Sequence, residues 1–428
     1  MIKRLCNATQ LHVLFATGIT AGGRRRRTAA RKQEARNNRR GDRFVELHSE
    51  VAALSEACKR TRRALHRIPE TAFTEAQTQA YIESALRLSE PDSLERIAGT
   101  GVKAVYYAKN PRSTIAFRAD MDAINVSEQN RVSYRSKHAG KMHACGHDGH
   151  MTMLLLLSTL LHAHRAELQD NVVLLFQPGE EGHGGAKRMI AAGALHHPAV
   201  DCIYGLHVWP AVEKGKIAVR WGPMMAQTCE FEIVVRGKSA HGAMPQLGVD
   251  AIVITAELIS MVQTVITRSI DPHQDALLTI GRIEGGRAHN VIADKVTMSG
   301  TLRAFSNEVF FDLIARIESI VRGLQLATGA KITFRKLMHY PSVDNPRALV
   351  ESIYTLADKD TDMVIADPVM TGEDFSFYQE QAPGLFLLLG TGEEAHQAPL
   401  HNGRFDFDES VLLTGVELYR RILGLCER

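Results

Sequence analysis

Nine residues, Met142 to His150, read MHACGHDGH and pack one thiol, three imidazoles and a carboxylate into a single short stretch. Cysteine and histidine at this spacing are good ligands for zinc, manganese or cobalt ions. The apolar run MTMLLLLSTLL follows at once, so the cluster sits at the mouth of an expected helix. Cys145-x-His147 falls on the turn before it, where both side chains can face one pocket and a thiolate can bridge two cations. The competing reading is a buried structural cysteine beside a helix-capping Asp148.

Other polar residues fall where apolar runs end. Asp120 and Asp122 close STIAFRADMD, Glu180 and Glu181 follow NVVLLFQPG, and His207 follows DCIYGL. Open α/β sheets build their sites at the carboxyl ends of strands, so residues distant in sequence become neighbours there. Successive side chains of Glu180-Glu181 in a tight loop diverge, which lets one bind metal while the other faces substrate as a base. Taken alone, an acidic pair is more often a solvated helix start favoured by the dipole, and a lone His207 is a core residue. GKSAHGAMP (His241), GGRAHNVIAD (Arg287, His289, Asn290), TGEDF (Glu373, Asp374) and PLHNGRFDF (His401) are individually ordinary loops.

The elements that must hold these groups follow from periodicity. Helical spacing runs through FVELHSEVAALSEACKRTRRALHRIPE and TEAQTQAYIESALRLSE, then strands alternate with helices, several continuously apolar. That pattern predicts an α/β domain on a mostly parallel sheet with covered faces. From about residue 218 the texture changes to a β-α-β-β-α-β order closed by KITFRKL, a ferredoxin-like α+β unit. The expected organisation is a basic extension over 1–43, a catalytic domain over 44–217 and 338–428, and an inserted satellite over 218–337.

The formal net charge of +3 is uneven. Residues 1–43 carry twelve Lys or Arg against Glu34 and Asp42, a net of +10, so the remainder is 3 − 10 = −7. Nucleic-acid binding is therefore not expected of the body. The extension reads as a transit peptide, a nucleic-acid arm or simply a tail outside the fold. The apolar run Met151–Leu161 is too short to span a bilayer, and no other stretch is expected to do better. The six cysteines are scattered without a CxxC pair, which points to a reducing compartment, the cytoplasm, with organelle targeting open because of the tail.

Taken in order, LHRIPE, FRADMDA, KMHACGHDGH, FQPGEEG, GLHVWP, GKSAHGAMP, GGRAHNVIAD, GTLRAF, TGEDFSFY and LHNGRFDF resemble the M20 metallopeptidase family. Within it they are similar to the amidohydrolase branch of hippurate, N-acyl-amino-acid and indoleacetyl-amino-acid hydrolases. The resemblance implies two divalent metals, Mn²⁺ foremost with Zn²⁺, Co²⁺ or Ni²⁺ as alternatives, and a satellite that mediates homodimerisation. It implies Cys145 as the bridging ligand, His147, Glu181, His207 and His401 as terminal ligands, and Glu180 as general base and acid. Asp120 stands where other branches have a ligand histidine, with His147 taking over that coordination, and Asp122 would orient the site. His241, reaching in from a partner subunit, would stabilise the oxyanion with Asn290 nearby, and Arg287 or Arg303 would hold the substrate carboxylate. Gln246 stands where a histidine is common, and GGRAHN replaces a GGTAFN-like loop, so specificity is the open part. The implied substrate is a small N-acyl-L-amino acid. A di- or exopeptidase of the same family, and a metal-binding scaffold without catalysis, are the alternatives.

Overall fold

Strands without polar alternation must be buried on both faces, and four of them make the centre of the molecule. In the computed structural model, which describes residues 47–356 and 363–426, these are β3 (Thr114–Asp120), β4 (Asn171–Gln177), β5 (Cys202–Glu213) and β14 (Gly384–Gly392). They run parallel in the order β4-β3-β5-β14. Edges are antiparallel: β1 (Ser93–Ile97) pairs with β2 (Gly101–Tyr106), β2 with β4, and β6 (Ile217–Val219) with β14, while β13 (Met363–Ile365) adds parallel to β6. The sheet is thus an eight-stranded mixed one with a parallel core. The basic extension expected over 1–43 lies outside the described residues.

Helix α1 (Ser55–His66), α2 (Ala76–Arg87) and α3 (His147–Ala163) cover this sheet, with α4 (Gly185–Ala191) after β4. Helix α3 begins inside the cysteine–histidine cluster and is buried on almost every side, as an all-round apolar helix must be. It packs against α1 and the later helix Leu412–Leu423. That burial fixes the start of α3, and so the cluster, against β3 and β5.

The second sheet is built from β8 (Gln227–Arg236), α5 (Ala251–Ser269), β9 (Ala276–Gly285), β10 (Lys295–Ala304), α6 (Asn307–Thr328) and β11 (Lys331–Tyr340). Its order is β11-β8-β10-β9, all antiparallel, the arrangement of a ferredoxin-like β-α-β-β-α-β unit. Alternate residues Cys229, Phe231, Ile233 and Val235 of β8 join the two helices in a core of their own. Asp250 accepts hydrogen bonds from the Ile252 and Val253 amides and Ser306 from that of Val309, capping α5 and α6. Ile217–Val219, which straddles residue 218, adds to the large sheet, and the second sheet starts only at Gln227. Between them β7 (Gly222–Met225) pairs with β12 (Val343–Asn345), ahead of α7 (Arg347–Leu356) and, at the chain's end, α8 (Leu412–Leu423).

One sequence expectation needs correcting. Met151–Leu161 is not the longest apolar stretch, because α5 is long and apolar enough to cross a membrane by length and composition. In the fold it lies on the second sheet with Ala251, Ile254, Leu258, Val262 and Val265 buried.

Candidate metal centre

Cys145 and His147 reach one pocket because Gly146 between them adopts φ 87° and caps α3. A Cβ there would stand 2.3 Å from the Val208 side chain, so glycine is required for both the conformation and the approach. His147 presents its Nδ1 to the Asp122 carbonyl at 2.8 Å. Its buried Nε2 has no protein partner. His207 spends its Nδ1 on the Val208 carbonyl at 2.7 Å and turns Nε2 toward the Cys145 sulfur, 3.4 Å away. Each ring thus donates Nδ1–H to a carbonyl and keeps an Nε2 lone pair for the pocket, the arrangement of a metal-ligating histidine.

Glu180 and Glu181 lie in a broken helical turn where Glu181 (ψ 73°) and Gly182 (φ 81°) leave helical geometry. The two carboxylates therefore diverge. Asp122 holds this turn by accepting the Glu180 and Glu181 amides at 3.0 and 3.1 Å, one on each oxygen. His401 adopts φ 64°, its amide donates to the Ala144 carbonyl at 2.8 Å, and its Nε2 lies 3.0 Å from Glu181 Oε1. One donor atom each from Cys145, His147 and His207 lies within 4.8 Å of the others, and the same holds for Cys145, Glu181 and His401. Two donor triads sharing one thiol, together with a buried imidazole nitrogen that has no protein partner, would suit two divalent cations.

His150 is fully committed elsewhere. Its Nδ1 faces Asp120 Oδ1 at 2.6 Å, while Nε2 accepts the Val208 amide at 2.9 Å. His150 thereby ties α3 to both β3 and the strand carrying His207. Burial pushes the Asp120 carboxyl up, but His147, His150 and Arg118 outweigh it and hold the group well below its ordinary range.

Electrostatics fit a cation and a base. Burial depresses His147, but the Asp120 and Asp122 carboxylates more than reverse this and raise it to about 10. Such a field favours positive charge. Glu180 lies well above the usual carboxylate range through burial and the neighbouring Glu373, Glu181 and Asp374 charges. Burial also raises Glu181, yet the His401 hydrogen bond and the nearby imidazoles pull it below its ordinary value. Adjacent glutamates are thus driven apart, one toward holding a proton and the other toward permanent charge.

Several supporting groups were not singled out by the sequence. Buried Arg118 reaches Gln177 (2.9 Å), Asp120 (2.7 Å), Glu373 (3.0 Å) and Asp374 (2.9 Å). One cation among three carboxylates is insufficient, so burial raises Glu373 to about 8 and Asp374 to about 6. Tyr340, at the end of β11, donates its hydroxyl to the Glu180 carbonyl at 3.1 Å and accepts the Gly184 amide at 3.0 Å. Behind α3, Arg62 pairs with Asp148 (3.1 Å) and Asp406 (2.7 Å), and His66 with Asp148 (2.7 Å) and Glu128 (3.3 Å). These contacts join residues far apart in sequence, so only the fold reveals them; the FRAD arginine beside two aspartates was the one available hint.

A cavity of about 580 Å³ opens over the donors and is lined by Cys145, Glu180, Glu181, His207, His401 and, from the second sheet, Arg303 and Glu230. Arg303 donates to the Met370 carbonyl at 2.5 Å. Arg287 is elsewhere: its guanidinium approaches Asp294 at 3.3 Å in a separate cavity of about 570 Å³. His241 and Asn290 sit side by side, the Gly242 amide donating to the Asn290 carbonyl at 2.8 Å. Both are exposed and neither lines the donor cavity within this chain.

Comparison with known proteins agrees with this geometry. An N-acetyldiaminopimelate deacetylase of Priestia megaterium is 35% identical over 358 residues, covering 82% of this chain and 95% of that one. Its counterpart in Listeria innocua is 37% identical, covering 79% and 92%. The structure of a dinuclear metal-binding peptidase of the M20 family from Bacillus subtilis superimposes with a TM-score of 0.75 at 32% identity, covering 87% of this chain and 99% of that one. Residues 116–424 match the family described as peptidase family M20/M25/M40, and the chain belongs to that family.

Proposed function

We propose that this amide-bond hydrolase cleaves N-acyl-L-amino acids to a carboxylate and a free amino acid at a dinuclear centre. The observation that carries the reading is the pair of donor triads meeting at Cys145, with Glu180 beside them in the cavity. His147, His207, Glu181 and His401 complete the proposed ligand set, with Mn²⁺ as the proposed metal and Zn²⁺, Co²⁺ or Ni²⁺ as competing outcomes. Two bound ions would supply a water of lowered pKa and a polarised carbonyl.

The chain's own residues do the rest. Glu180, held high by burial and by neighbouring acids, takes a proton from the attacking water and returns it to the departing nitrogen, a shuttle worth roughly 10²–10⁴-fold. Asp122 holds the glutamate turn by its two amides, and the buried Arg118 network backs it. Arg303, part-buried with guanidinium N–H groups beyond the one given to Met370, suits the substrate carboxylate. His241 with Asn290 is proposed to stabilise the oxyanion from the second sheet of a partner subunit. Exposed Met244, Leu247, Ile252, Val253, Leu277, Ile283 and Val291 on and around α5 and β9 support a homodimer formed through that unit.

The deacetylase relatives favour an acetyl group over benzoyl or indoleacetyl. Glu230 faces the same cavity as Arg303, which favours an amino acid with a second, cationic amine. Five free cysteines among the described residues support a reducing, cytoplasmic setting. The test is a panel of acetyl-, benzoyl- and indoleacetyl-amino acids against Mn²⁺-, Co²⁺- and Zn²⁺-loaded protein, with a free dipeptide and its N-acetyl form alongside. Hydrolysis of acetylated substrates is expected. Turnover of the free dipeptide alone would replace this reading with an exopeptidase.

A further inference from the structure

Four metal-ligating side chains converge at a second place, and none of them lines the catalytic cavity. His48 and Glu50 flank the start of the short helix Ser49–Ala53. His164 caps the C-terminal end of α3. Cys426 follows α8, its backbone in the left-handed region at φ 62°, an uncommon conformation for a non-glycine residue.

The His164 Nε2 lies 3.1 Å from the Cys426 sulfur and 2.6 Å from Glu50 Oε2. The sulfur and that carboxylate oxygen are 3.8 Å apart. His48, Glu50 and Cys426 each offer one ligand atom within 4.8 Å of the others. Around a tetrahedral zinc with bonds of ~2.0–2.3 Å, ligand atoms stand roughly 3.3–3.8 Å from one another. The thiol and imidazole nearly meet that spacing already, and the exposed Glu50 side chain must open by under about an ångström to match it. His164 also has the partner that a metal-bound imidazole uses on its other nitrogen: Nδ1 lies 3.4 Å from Glu167 Oε1.

We propose that His48, Glu50, His164 and Cys426 form a structural zinc site, separate from the catalytic centre. It ties the segment after α8 to the first described helix and to the end of α3. One thiolate, two imidazoles and one carboxylate are a borderline-soft set that selects zinc over manganese or magnesium.

The catalytic centre also binds divalent ions, so the test works by difference. Wild-type and Cys426→Ser proteins are saturated with Zn²⁺, freed of loose metal by gel filtration, and measured for zinc per chain. Cys426→Ser should hold about one zinc fewer while still hydrolysing substrate, since Cys426 is no part of the hydrolytic site. In a Cys145→Ala background, Co²⁺ should give a sulfur-to-cobalt absorption band that disappears in Cys145→Ala/Cys426→Ser. Zn²⁺ should raise the Tm of the single variant by clearly more than that of the double variant. Equal zinc content with and without Cys426 overturns the proposal, whether or not the Cys145→Ala protein folds.

Discussion

The polar residues around the large sheet and the loop residues of the second sheet are equally visible as motifs, yet they behave differently in the fold. Cys145, His147, Glu180 and His207 are buried and held by named partners, with Gly146, Asp122 and Val208 fixing their directions. His241, Asn290 and Arg287 are exposed, and their hydrogen bonds hold the loops together without aiming a side chain at the donors. The difference separates a site pre-organised within one chain from loop residues that would reach it only in the proposed homodimer. Burial supplies the first with low dielectric and fixed geometry.

That contrast can be broken most severely at Cys145. Cys145→Ala removes the atom common to both donor triads, so divalent-metal content should fall from about two ions per chain to less than one, and hydrolysis should vanish. Full metal content in this variant would exclude a shared thiolate. Next in size is Arg118→Met, which leaves Asp120, Glu373 and Asp374 facing one another without their cation. A loss of roughly 3–5 kcal/mol is expected in urea unfolding.

A smaller effect is carried by His66. Burial lowers its pKa, but the bonds to Asp148 and Glu128 win and raise it from 6.5 to about 9. A raised folded pKa stabilises fully below the unfolded value and is lost as pH climbs through the folded one. Stability should therefore decline between pH 6.5 and about 9, by at most about 3 kcal/mol from this group. His66→Gln should flatten that decline; identical pH profiles would contradict it. Smallest in stability is His241→Ala, expected within about 0.5 kcal/mol because the residue is exposed. Its catalytic defect should nevertheless be rescued by mixing with Glu180→Gln chains, whose intact His241 then serves the other subunit's Glu180.

Much of this was legible from residues 142–150 and from the apolar runs. Period and length separate the parallel core from the ferredoxin-like unit, and polarity where apolar runs end picks out Asp120, Glu180 and His207, although β5 continues past His207 to Glu213. His150 is a ligand by type that the wider chain relegates to a supporting residue, and the fold shows how it supports, with its nitrogens spent on Asp120 and the Val208 amide. Arg287 and Arg303 looked alike as carboxylate binders, and only the strand register, with Arg303 opposite Thr228 on β8, places one of them in the cavity. Arg118, Tyr340 and Asp406 were hidden because their partners lie up to hundreds of residues away.

Glu180 is the group whose removal bears most directly on the proposed chemistry. In Glu180→Gln, purified with metal content measured on the same sample, both ions should remain, because the ligands and the Asp122 bonds to the Glu180 and Glu181 amides are untouched. The kcat for an N-acetyl amino acid should fall by about 10²–10⁴-fold. Wild-type turnover in that metal-replete variant would contradict the assignment of Glu180 as the proton shuttle of this centre.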